Sequence, residues 1–262
     1  MPWGTIRDQL DRREISGAFI VKITLLVTLG VAVVALSAVA VNQTSSQQGS
    51  SVRPGPIPTF TTLAAPDGAQ STLPTAVFLG DSYTHGTGAS TPALRWSSLV
   101  ANAKGWTEAD AGLGGTGYAT TSSVNGCGKD YCPTYVERVG EIVASSPSVV
   151  VVSGGQNDGT LLSSDPETVK AAVDATYSTL RAGLPDAEIV AVGPSAPGTL
   201  PATLIEFDGW VHTAADAVGA TYVSLIDPPV IVPEMVLPDG GHVDDSGHQA
   251  IADRILGILP AS

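Results

Sequence analysis

Four short motifs carry the residues best suited to chemistry. They are Gly80-Asp81-Ser82-Tyr83-Thr84, Gly114-Gly115-Thr116-Gly117-Tyr118, Gly154-Gly155-Gln156-Asn157-Asp158 and Asp239-Gly240-Gly241-His242. Ser82 follows an apolar run and a Gly-Asp turn, which lifts a hydroxyl toward a helix N-terminus, where backbone N–H groups are free. Asp81-Ser82 equally suits a plain helix cap. His242 can act as a base, and Asp239 stands three residues before it, close enough in a tight Gly-Gly loop to bond the ring Nδ1–H. Asp245-Ser246-Gly247-His248 offers the same spacing again. An acyl-transfer intermediate also needs donors aimed at its oxyanion. The Ser82 backbone N–H, a glycine N–H of the second motif and the Asn157 amide supply three, with Gly115 preferred over Gly114. Tyr83, His85 and Tyr118 are either pocket-lining or loop-packing residues, and His212 falls in a helical stretch.

These motifs need a frame, and the hydrophobic pattern provides one. Apolar runs at 75–79, 148–152 and 188–192 read as strands, the second being continuous in β-branched residues, with a further strand at 220–225 and a weak one near 106–111. Helical patterns fall at 92–104, closed by Gly105, and at 133–145, with Val136, Val139, Ile142 and Val143 spaced three and four apart. Asp165-Pro166 opens a further helix closed by Gly183, and others span 202–218 and 244–258. Such alternation predicts a parallel sheet with helices on both faces. Its active site would lie at the carboxyl ends of the strands. The first three motifs fall there.

Serine, glycine, asparagine and histidine in this order, carried by those four motifs, resemble the SGNH (GDSL-like) hydrolases over about residues 73–260. The resemblance implies an α/β, three-layer flavodoxin-like sandwich with a central parallel sheet. It also implies hydrolysis of carboxylic esters through an acyl-enzyme, with Ser82 as nucleophile, His242 as base and Asp239 as its partner. Ser82, Gly115 and Asn157 would form the oxyanion hole. Gly247, five residues after His242 and leading into a helix, matches the family pattern and favours His242 over His248. Val243, where the family usually has proline, departs from it. The same triad would serve an acyltransferase acting on cell-envelope sugars, and the same fold a non-catalytic surface-binding module. The α/β-hydrolase elbow G-x-S-x-G is absent, because Thr84 takes the place of its last glycine.

The chain has 262 residues, 43% of them hydrophobic, which suits one core-bearing domain with extensions. Its formal charge is −13, from 12 Lys+Arg against 25 Asp+Glu, which argues against a nucleic-acid partner. Ile23 to Val41 is a 19-residue run without a charge, preceded by Arg7, Arg12, Arg13 and Lys22. As a helix it roughly matches a hydrocarbon core of about 30 Å. The basic flank places residues 1–22 in the cytoplasm and the domain outside. Cleavage after Ala38-Val39-Ala40 would instead secrete the protein. Residues 42–72, rich in Ser, Thr, Gln and Pro, read as a linker to a domain at 73–262. Outside the cytoplasm, Cys127 and Cys132 are expected to pair as a disulfide. No phosphate or dinucleotide fingerprint and no metal-ligand set stands out, so no cofactor is expected. The expected substrate is a small-molecule or carbohydrate ester. Two motif loops made of glycine and small polar residues suggest an open cleft for short acyl groups.

Overall fold

The computed structural model describes residues 73–261. The expected leading segment (1–22), membrane anchor (23–41) and linker (42–72) lie outside the described residues. Among the described residues, no helix is long and apolar enough to cross a membrane.

Five strands form one sheet: β1 (Thr75–Gly80), β2 (Thr107–Gly112), β3 (Val149–Ser153), β4 (Glu188–Val192) and β5 (Thr221–Val223). Their order is β2-β1-β3-β4-β5 and every pairing is parallel, the flavodoxin-like order. Parallel neighbours need crossovers, and helices supply them. These are α1 (Ser82–His85), α2 (Trp96–Lys104), α3 (Val124–Cys127), α4 (Tyr135–Ala144), α5 (Gly159–Ser164), α6 (Pro166–Gly183), α7 (Ala202–Ala217) and α8 (Asp245–Ile258).

Alternation along the strands sorts side chains into two cores. Val77, Leu79, Val150, Val152, Ile189 and Ala191 pack against α4, α6 and α7 through residues such as Ile142, Tyr177 and Phe207. Ala76, Phe78, Val149, Val151, Val190 and Val192 pack against α2 and α8 through Trp96, Val100, Ile251 and Ile255. The result is three layers. The valines of β3 are buried on both faces, each stabilising the fold by roughly 1.5–3 kcal/mol relative to exposure.

Side-chain caps set several helix starts. Thr134 and Glu137 form a reciprocal capping box at α4, and the Asp165 carboxylate accepts from Thr168 N–H at α6. The Asp244 carboxylate accepts from Ser246 and Gly247 N–H groups at α8.

Three expected boundaries shift, each for a tertiary reason. The stretch 92–104 is not one helix: a 3-10 turn (Pro92–Leu94) is followed by extended backbone at Arg95 before α2 begins. The break aims the Arg95 guanidinium at Glu108 (3.1 Å) and Asp110 (2.8 Å) on edge strand β2. Helix α6 runs on to Gly183 as its last residue before the Leu184 cap, and a Cβ on that glycine would press within 2.6 Å of the Val143 methyls. Strand β5 is shorter than 220–225, because the Ser224 hydroxyl accepts from Ile226 and Asp227 N–H groups and turns the chain.

Candidate active site

The first motif sits where β1 ends. Asp81 caps α1, its Oδ1 accepting from Tyr83 N–H at 2.9 Å. This makes Ser82 the first helical residue, whose N–H has no acceptor within the helix. The Asp81 carboxyl is fully buried, and burial pushes it up to about 6. Hydrogen bonds from Tyr83 N–H, the Tyr135 hydroxyl (3.2 Å) and Gly155 N–H, together with the Arg138 charge, hold that rise back. Because the shift is upward, the stabilising effect of burying Asp81 is complete at low pH and is lost as pH rises through about 6.

The fourth motif arrives from the loop between β5 and α8. Gly240, at φ +70°, allows the tight turn. Asp239 Oδ1 then accepts from Gly241 N–H (2.9 Å) and His242 N–H (3.0 Å). Its Oδ2 lies 2.7 Å from His242 Nδ1, and His242 Nε2 lies 2.9 Å from Ser82 Oγ. The pattern fits an imidazole with its proton on Nδ1 and a lone pair facing the serine hydroxyl. The His242 side chain and the two loop N–H groups hold the exposed Asp239 carboxyl down at about 2, so it stays ionised throughout the working pH range.

Asp245 and His248 do not form a second pair of this kind. His248 is fully buried in α8, with Nδ1 accepting from Trp96 N–H (3.3 Å) and Nε2–H donating to Thr87 O (3.2 Å). Burial lowers its affinity for a proton. Asp245 instead holds Ser90 through its N–H and hydroxyl, both at 2.7 Å.

The second and third motifs meet beside Ser82. Gly114 lies next to the serine, since a Cβ placed on it would come 3.8 Å from Ser82 Cβ; Gly115, at φ +75°, follows. Asn157 Nδ2 donates to Thr116 O at 2.9 Å, which orients the amide and leaves its second N–H available. Cys127 and Cys132 have their sulfurs at bonding distance, with Cα atoms 6.5 Å apart. Gly126, the residue before Cys127, packs backbone to backbone on the glycine loop, because a Cβ on Gly114 would collide with Gly126 O.

Two residues with no assigned role hold these loops. The buried Asp158 carboxylate accepts from Tyr118 N–H (2.7 Å) and Ala119 N–H (3.1 Å), pinning the second motif to the third. Arg138 is buried in α4 and donates to Gly80 O, Ala111 O, Thr116 Oγ1 and Thr134 O. It thereby ties the end of β1 to the end of β2. Burial pulls its guanidinium down to about 10, still charged at neutral pH. Its signal in sequence was position: 135, 138 and 142 share the apolar face of α4. Tyr118 is core, fully buried with its hydroxyl 2.8 Å from that of Tyr177. His85 is exposed beside Asp110, and His212 stacks on Tyr222 with centroids 4.1 Å apart. Among the described residues, no group of three or more His, Cys, Asp or Glu could hold a metal ion.

Comparisons with known proteins bear on this arrangement. Residues 78–250 match the model of the GDSL-like lipase/acylhydrolase family. A GDSL lipase of Mycobacterium tuberculosis is 29% identical over 195 residues, covering 71% of this chain and 81% of the relative. The crystal structure of TesA aligns with TM-score 0.55 at 20% identity, covering 71% of this chain and 97% of that one. Est24, a carbohydrate acetylesterase of Sinorhizobium meliloti, aligns with TM-score 0.51 at 15% identity, covering 71% of this chain and all of that one. The structural likenesses establish the fold, and the family match covers all four motifs. The chain belongs to the GDSL-like lipase/acylhydrolase family and is an SGNH-type hydrolase.

Proposed function

We propose that this enzyme is an extracytoplasmic serine esterase acting on short-acyl esters through a Ser82–His242–Asp239 triad. One observation carries the reading: the unbroken relay from Ser82 Oγ to His242 Nε2 (2.9 Å) and from Nδ1 to Asp239 Oδ2 (2.7 Å). His242 Nε2 takes the Ser82 proton as Oγ bonds to the ester carbonyl carbon. The carbonyl oxygen gains the negative charge and is held by the Ser82 and Gly115 N–H groups and the free Asn157 N–H. Collapse breaks the ester C–O bond, and the imidazolium gives its proton to the departing alcohol. Water then attacks the acyl-serine in the same way, releasing the acid and returning the proton to Ser82. Asn157→Ala leaves the other donors in place, so kcat should fall about 10²–10³-fold. A loss as large as that of the serine variant would give Asn157 a different role.

Short acyl groups suit the glycine and small polar residues of the loops around Ser82, which offer few bulky apolar side chains to line a long acyl channel. The likeness to Est24 makes an acetylated carbohydrate the first ester to test. Location outside the cytoplasm is supported by the basic-then-apolar order of residues 7–41 and by the paired Cys127 and Cys132. The deciding experiment measures kcat/KM on acetyl, butyryl, octanoyl and palmitoyl esters of one alcohol, with Ser82→Ala as control. The expected maximum lies between acetyl and butyryl. A steady rise toward palmitoyl would overturn the short-acyl reading. Repeating the assay with a sugar acceptor tests water as the acyl acceptor, and acylated sugar as the main product would make the enzyme a transferase.

A further inference from the structure

We propose that Tyr83 is a positioning residue that locks the Asp239–His242 loop against the nucleophile. The inference rests on the triad reading above and adds a part that none of the four expected roles includes. Tyr83 directly follows Ser82 in α1, and its side chain is only 5% exposed. Its hydroxyl donates to Gly241 O at 2.8 Å, across 158 residues of sequence. The Ser195 side chain hydrogen-bonds the same hydroxyl from the segment after β4. The Tyr83 ring also lies alongside the His242 imidazole, with centroids 5.9 Å apart.

The loop needs such a hold. The Asp239 side chain is 51% exposed and His242 is 28% exposed, so packing alone does little to fix them. Bonds within the loop are short-range: Gly240 N–H to Leu237 O and Leu237 N–H to His242 O. They set its internal shape without setting its distance from Ser82. Tyr83 does set that distance, because the backbone that carries the nucleophile also carries the ring bonded to the base's loop. Placement errors of this size matter, since catalysis depends steeply on the geometry of nucleophile and base. Burial pushes the Tyr83 hydroxyl up to about 12, so it remains a donor throughout the working range.

Tyr83→Phe keeps the buried ring and removes the hydroxyl. Its kcat should fall roughly 3- to 10-fold, the rate equivalent of one hydrogen bond, with KM unchanged. In an Asp239→Asn background the same change should cost much less, because the geometry it protects is already spoiled. Ser195→Ala, which reaches the same hydroxyl from the other side and leaves the ring alone, should lower kcat in the same direction. This second variant keeps the test open if Tyr83→Phe fails to fold. A lowered Tm with wild-type kcat at 25 °C would show a purely structural tyrosine and overturn the proposal. A raised KM at constant kcat, or a full multiplicative loss in the Asp239→Asn background, would also overturn it. Ser82→Ala run alongside separates the two readings. Turnover retained there sinks both, whereas an inactive Ser82→Ala beside a wild-type Tyr83→Phe sinks this one alone.

Discussion

Ser82→Ala is expected to lose on the order of 10⁶ in kcat, the scale seen when a serine protease triad loses its nucleophile. The fold should survive. Ser82 is half-buried and its Oγ bonds the partly exposed His242 Nε2, so its removal leaves neither a core cavity nor a buried orphan. Its Tm should match wild type, since changes at such positions stay within about 0.5 kcal/mol. What remains would come from the oxyanion donors alone, as they still bind the transition state without a nucleophile. The measurement is ester turnover by protein of verified Tm. Activity within about a hundredfold of wild type would rule out a serine mechanism.

The second large effect separates two histidines that share the same D-x-x-H spacing. His242→Ala should fall nearly as far as the serine variant. Asp239→Asn should fall about 10⁴-fold, because an amide cannot hold the proton on Nδ1 as the carboxylate does. His248→Ala should keep its kcat at 25 °C and instead lose about 2–4 kcal/mol of stability. That loss comes from an emptied buried site together with unpaired Trp96 N–H and Thr87 O. Asp239, held at about 2, stays charged throughout the working pH range, so protonation of this carboxyl does not limit wild-type activity there. The opposite ranking of the two histidines would move the triad to Asp245 and His248.

The strands and motif positions were legible because both are local. A run such as 148–152 has few alternatives to a buried strand, and a parallel sheet places its loops at one edge. The choice between His242 and His248 was not local: spacing offered both, and a family pattern was needed to prefer one. The structure separates them by burial, with one ring facing the serine and the other packed between Trp96 and Thr87. The partners of Arg138 and Asp158 were hidden for a related reason, although the place of Arg138 on the apolar face of α4 marked it as buried. Their partners are the Thr116 hydroxyl and backbone oxygens 22 to 58 residues away for the Arg138 Nη atoms, and backbone N–H groups 39 to 40 away for Asp158, and no periodicity encodes such pairs. The break at Arg95 and the packing role of Gly183 likewise depend on neighbours from other elements.

Under the proposed mechanism, the 160-position separation of Ser82 and His242 divides the reaction between two parts of the molecule. The proposed nucleophile and oxyanion donors stand on the ends of three adjacent strands braced by Arg138 and Asp158. The base hangs from a largely exposed loop whose far end is α8. Local openings in proteins begin where buried contacts are few, and the exposed stretch 238–241 before the proposed base is one such place. Warming or mild denaturant should therefore silence the enzyme reversibly while its sheet and most of its helices are still intact. Catalysis in this chain thus doubles as a sensitive gauge of whether its C-terminal part is seated.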